Sequence, residues 1–67
     1  MSFESQVLAI ANPALQHGEM AEFDFGTLFL HCTENTSRKI FSDLFMAFNG
    51  KVNISLVGRE YAIDFTV

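Results

Sequence analysis

Disulfides are excluded at the outset, because the 67-residue chain has a single cysteine, Cys32. That usage fits a reducing compartment. Proline occurs once and tryptophan not at all, and no Lys or Arg stands before Arg38. The opening 37 residues therefore lack the positive segment of a secretory leader, and the apolar run Val7 to Ala11 is too short for its core. No stretch approaches the length of a membrane span. The sequons at Asn35 and Asn53 then have no secretory route to serve, and a cytoplasmic location, with no membrane contact, is expected.

Ligands and nucleophiles are equally sparse. His17, His31 and Cys32 are the only soft metal donors, and positions 31 and 32 would diverge to opposite faces of a strand. The same divergence disqualifies Cys32 and His31 as a nucleophile and base. The segment Glu19 to Asp24 has Ala and Phe where a calcium loop needs oxygen ligands. Asp24-Phe25-Gly26 matches the metal-binding triplet of protein kinases, but no nucleotide loop, strand lysine or catalytic loop accompanies it, so Phe25 is expected in the core. Ser, His and Asp occur without a nucleophile elbow. These absences predict no enzyme activity, no cofactor and no metal.

What the chain does have is apolar bulk: eight phenylalanines and 49% hydrophobic residues. So much ring surface requires burial, which implies a folded domain. A chain this short buries only about 60% of its unfolded surface, and without disulfide or metal it is expected to finish that burial by association. A homodimer is the expected form.

The C-terminal half shows the clearest periodicity. Val52, Ile54 and Leu56 alternate with polar residues, as do Tyr61, Ile63, Phe65 and Val67, with Gly58-Arg59 between them. A two-residue turn led by Gly sets Leu56 opposite Tyr61, Ile54 opposite Ile63 and Val52 opposite Phe65. Lys51, Asn53, Ser55, Ala62, Asp64 and Thr66 would face solvent. Ahead of this hairpin, Ile40, Phe41, Leu44, Phe45 and Phe48 mark a helix over 36–49, capped by Thr36 or Ser37 and stopped by Asn49-Gly50. Residues 20–33 read as extended, with Gly26 marking either a bulge in one strand or a turn between two. Phe3, Val7, Ile10 and Ala14 stand at helical spacing interrupted by Asn12-Pro13, and the expected element is a helix from about Ser2 to Ala11 followed by a turn ending at Gly18, with a strand over Gln6 to Ala11 as the alternative. The expected fold is a single α+β domain over 1–67. An antiparallel sheet of three to four strands carries one amphipathic helix on one face, with the N-terminal helix beside it.

Eight acidic against four basic residues give a net charge of −4, which disfavours direct nucleic-acid binding. Glu19, Glu22, Asp24 and Glu34 form the one polar cluster with binding potential, and Glu22 and Asp24 share the outward side of a strand. The same acids equally serve as a solvated face that keeps an apolar domain dispersed. Lys39 and Met46 are the contact candidates on the helix, where Lys39 and Arg38 fall in a first turn that disfavours cations unless Glu34 or Asp43 pairs with them. The expected function is a small acidic intracellular module that binds a larger protein partner and regulates or inhibits it. Size and acidity are compatible, by composition alone, with phage-encoded inhibitors of bacterial defence such as anti-CRISPR proteins acting in the host cytoplasm. An acidic DNA mimic and a self-assembling structural subunit are the alternatives.

Overall fold

The computed structural model describes residues 2–66. Helix α1, Phe3–Ala11, starts at Ser2, whose Oγ accepts the Ser5 N–H at 3.0 Å. It runs into a 3-10 turn, Asn12–Ala14, where Pro13 occupies a first-turn position that needs no N–H. Helix α2 spans Glu34–Ala47 and is capped by Thr33, whose Oγ1 accepts the Thr36 N–H at 3.3 Å. The cap expected at Thr36 or Ser37 is therefore too late, and both residues are buried inside the helix. This correction removes the dipole conflict, because Arg38 and Lys39 now lie beyond the first turn. Arg38 pairs with Glu34 and Lys39 with Asp43, each at 3.0 Å and four residues apart.

Helix α2 ends where Asn49 and Gly50 turn left-handed, at φ 54° and 78°. A Cβ on Gly50 would stand 3.1 Å from the Phe45 ring, so this glycine answers both a conformational and a steric demand. Gly50→Ala is expected to destabilise the domain by about 1–2 kcal/mol, read as a lower thermal midpoint with the fold retained.

Four strands follow the hairpin logic: β1 Met20–Asp24, β2 Thr27–His31, β3 Val52–Val57 and β4 Glu60–Phe65. They form one antiparallel sheet in the order β1-β2-β4-β3. The β3–β4 register matches the sequence expectation: Leu56 faces Tyr61, Ile54 faces Ile63 and Val52 faces Phe65. Gly58 takes φ 63° while Arg59 stays at negative φ, as a type II′ turn requires.

Between β1 and β2 the chain turns rather than bulges, with Phe25 at φ 50° and Gly26 at φ 82°. Positive φ at both central residues is the type I′ pattern. That turn overturns the core expectation for Phe25, which is 99% exposed because a residue at a hairpin tip has no sheet face to lie on. Parity then places Phe23 opposite Leu28 and Ala21 opposite Leu30 on the inner face.

Both helices pack on that same face. Val7, Ala11, Ile40 and Leu44 meet Leu28, Leu30, Val52 and Ile63, and all of these are buried. Phe3, Phe23, Phe48 and Phe65 close one end of the core, with ring centroids 5.1 to 6.2 Å apart. Phe41 and Phe45 pair at 5.8 Å on the flank of α2, where Phe45 is 45% exposed rather than inward like Ile40 and Leu44.

Candidate protein-binding face

Since both helices cover one side of the sheet, its other side is open, and strand parity decides what appears there. Three rows run across it. The first is Asp24, Thr27, Asp64 and Asn53; the second is Glu22, Phe29, Ala62 and Ser55; the third is Met20, His31, Glu60 and Val57. No Lys or Arg occupies any of these positions. Thr27 donates to Asp64 Oδ1 at 2.6 Å, and His31 Nδ1 lies 2.9 Å from Glu60 Oε2, so β2 holds both carboxylates of β4 in place. Glu22 and Asp24 on β1 make no side-chain hydrogen bond or ion pair among the described residues and stay exposed. Phe29 sits half-buried between Glu22 and Ala62. Ala62, expected to face solvent, points outward yet is buried, because its small side chain lies between Phe29 and Ser55 in the same row.

Chemically, this arrangement offers negative charge around an apolar centre. An aromatic ring rimmed by carboxylates suits a surface that presents Lys or Arg over apolar stems. At one end of the face the Phe25 ring projects from the hairpin tip in a conformation that costs a non-glycine residue about 1 kcal/mol. An exposed ring at a strained position contributes nothing to folding that Asn would not provide better.

The other sequence candidates lie elsewhere. Glu19 is a structural clamp: Oε1 accepts the Gln16 N–H and Oε2 the Thr33 N–H, both at 2.8 Å, so it ties the approach to β1 to the cap of α2. These backbone donors hold its carboxyl below the usual range, the Thr33 bond most strongly. A depressed folded-state value stabilises the domain above the ordinary carboxylate pKa, and that contribution is lost as pH falls through the folded value. Glu19→Gln is therefore expected to flatten the acid limb of a stability-against-pH curve measured by thermal unfolding. Glu34 lies at the start of α2, where it meets Arg38 and receives the Tyr61 hydroxyl at 3.3 Å. Lys39 and Met46 belong to the exposed surface of α2, Met46 being 77% exposed.

Cys32 contacts Ser37 Oγ at 3.2 Å under α2, and partial burial pushes its thiol up, away from nucleophilic character. Among the described residues no three His, Cys, Asp or Glu side chains gather as a metal site. No helix among them is long and apolar enough to cross a membrane.

Compared with protein-family models, curated proteins and solved structures, the chain matches none. Function must therefore be argued from geometry. Sequence reading missed Phe25, Phe29, Glu60 and Asp64 as members of a single surface. Asp64 was legible from hairpin parity, but Phe29 required the turn at Gly26 to be known, and Glu60 joins only through the β2–β4 pairing that brings it to His31.

Proposed function

We propose that the domain is a protein-binding module that docks its open sheet face on a basic surface of a larger protein and thereby regulates or inhibits it. The observation that carries this reading is one-sidedness: both helices occupy one face of the sheet, while Glu22, Asp24, Glu60 and Asp64 surround Phe29 on the other. Exposed Phe25 and Met20 extend that surface along β1. An apolar centre with a charged rim is the usual anatomy of a protein–protein interface, in which the rim steers encounter and the ring supplies affinity. A cytoplasmic partner is consistent with the single unbridged cysteine.

The test is affinity capture from a cell lysate with the native protein and with the Glu22→Lys/Asp24→Lys variant. Both sites are exposed and outside the core, so the variant is expected to fold normally by circular dichroism and to lose the captured protein. Retention of that protein by the variant rejects the open face as the contact surface. Affinity is expected to weaken with added salt by about tenfold, as charge steering is screened. Displacement of the captured protein by duplex DNA would instead identify a DNA mimic, in which carboxylates replace phosphates.

A further inference from the structure

Strand β3 is an edge, and its free side is neither charged nor covered. The Thr66 N–H donates to Lys51 C=O at 3.0 Å, which fixes the alternation along the hairpin. Lys51, Asn53, Ser55 and Val57 turn their backbone groups toward β4, whereas Ile54 and Leu56 turn theirs outward. Neither outward pair makes a backbone hydrogen bond beyond the hairpin among the described residues. Folded proteins commonly blunt such an edge with charge, proline or a bulge. The sequence Val52-Asn53-Ile54-Ser55-Leu56-Val57 has none of these, and Leu56 and Val57 are 62% and 52% exposed. The opposite edge differs, because β1 carries Glu22 and Asp24.

Beside this edge, between β3 and α2, lies a cavity of about 250 Å3 lined by Ser37, Phe41, Ile54 and Tyr61. Its two charged residues, Glu34 and Arg38, neutralise each other at 3.0 Å. Side chains of a strand added to β3 would alternate toward this cavity, continuing the apolar inner face of the sheet. The half-exposed Phe45 stands on the same helix four residues from Phe41.

We infer that this edge is a homodimer interface, in which β3 pairs antiparallel with β3 of a second copy about a two-fold axis at Ser55. The occupant is identified by self-complementarity. Pairing about Ser55 opposes Ile54 to Leu56 of the other copy on the inner side, both as hydrogen-bonded pairs, which is the parity their free backbone groups demand. On the outer side Asn53 meets Val57, and Ser55 meets Ser55. Within Val52–Val57 no charge opposes its like, and the one like pair, Lys51 against Arg59, falls beyond the ends of the strand. The same operation centred on Glu22 or Phe23 of β1 would set Glu22 against Glu22 or against Asp24, a repulsion that the uncharged β3 does not meet. The sheet then runs unbroken through both copies, and the two α2 flanks with Phe41 and Phe45 approach over the joined edge. The pairing uses the free backbone of β3 at the margin of the open face and leaves Glu22, Asp24, Glu60 and Asp64 uncovered, so it stands or falls independently of the partner proposed for those acids.

The test exploits the residue on the axis. In sedimentation or light scattering the native chain is expected at twice its 7.5 kDa mass, dissociating on dilution. Ser55 is exposed, so Ser55→Lys and Ser55→Glu are each expected to keep native circular dichroism while raising the dimer dissociation constant by about tenfold or more, because like charges then face each other. An equimolar mixture of the two variants is expected to recover the dimer, since position 55 meets only position 55. Amide exchange at Ile54 and Leu56 should slow with protein concentration. A native chain monomeric at every concentration overturns the inference, as does a dimer that both variants leave intact or that their mixture fails to restore. Protection of Ile54 and Leu56 that appears only with a captured partner would assign the edge to a foreign strand and overturn it equally.

Discussion

Phe65→Ala is expected to remove about 2–4 kcal/mol of stability, the lower part of the range for deleting a core aromatic because Phe65 is only partly buried. The ring is the hub of its cluster, lying 5.1 Å from Phe3, 6.2 Å from Phe23 and 5.5 Å from Phe48. Those contacts join α1, β1, β4 and the end of α2, so one deletion loosens every layer at that end of the core. A domain of 67 residues has roughly 3–10 kcal/mol to lose, at the usual marginal stability per residue. The variant is therefore expected to be partly unfolded at room temperature, or to unfold in urea at roughly half the native midpoint with an unchanged slope. A native-like midpoint would show that the phenylalanine cluster is dispensable, contrary to the packing described.

Phe25→Asn is expected to move stability and binding in opposite directions. Phe25 occupies the first central position of a type I′ turn at φ 50°, next to Gly26, and Asn-Gly is the favoured pair there. Substitution should relieve left-handed strain and raise stability by about 1 kcal/mol. It also removes a ring that is 99% exposed at the end of the proposed contact surface. If that ring anchors the partner, affinity should fall by about thirtyfold, the loss of roughly 2 kcal/mol usual for an aromatic hot spot. Thermal unfolding reads the first effect and capture or calorimetry the second. A variant that is more stable and binds equally well would remove Phe25 from the interface while leaving the turn assignment in place. Such opposition is the pattern left when a position is kept for contact at the expense of folding.

Particular elements show where sequence reading succeeded. The β3–β4 register followed from period-two alternation and from Gly58, because parity and turn chemistry are local and selected the same pairing. The stop of α2 was equally local, resting on Asn49 and Gly50, while α1 rested on the spacing of Phe3, Val7 and Ile10, and the structure decides it against a strand and adds the Ser2 cap. The start of α2 was misplaced because Thr33, Thr36 and Ser37 are all competent caps by type. Only the position of Thr33 after β2, clamped by Glu19, decides which one caps. Glu19 itself looked like one more surface acid, since a side chain's hydrogen-bond partners fourteen residues away leave no mark in its neighbours.

By itself the sequence determined the α+β class, the hairpin register, the helical segments and the acidic imbalance, because each rests on spacing, turn residues or counting within a few positions. Tertiary structure alone decided that β2 pairs with β4, that both helices share one face, and that Phe29 gathers carboxylates from the strands on either side of it, β1 and β4. It also set the fate of each ring: four in a core cluster, two on the flank of α2, one on the open face and one at a hairpin tip. Phenylalanine is driven from water wherever it stands, and the hydrophobic effect has no direction of its own. Which rings find cover is settled only when strands distant in sequence choose their neighbours.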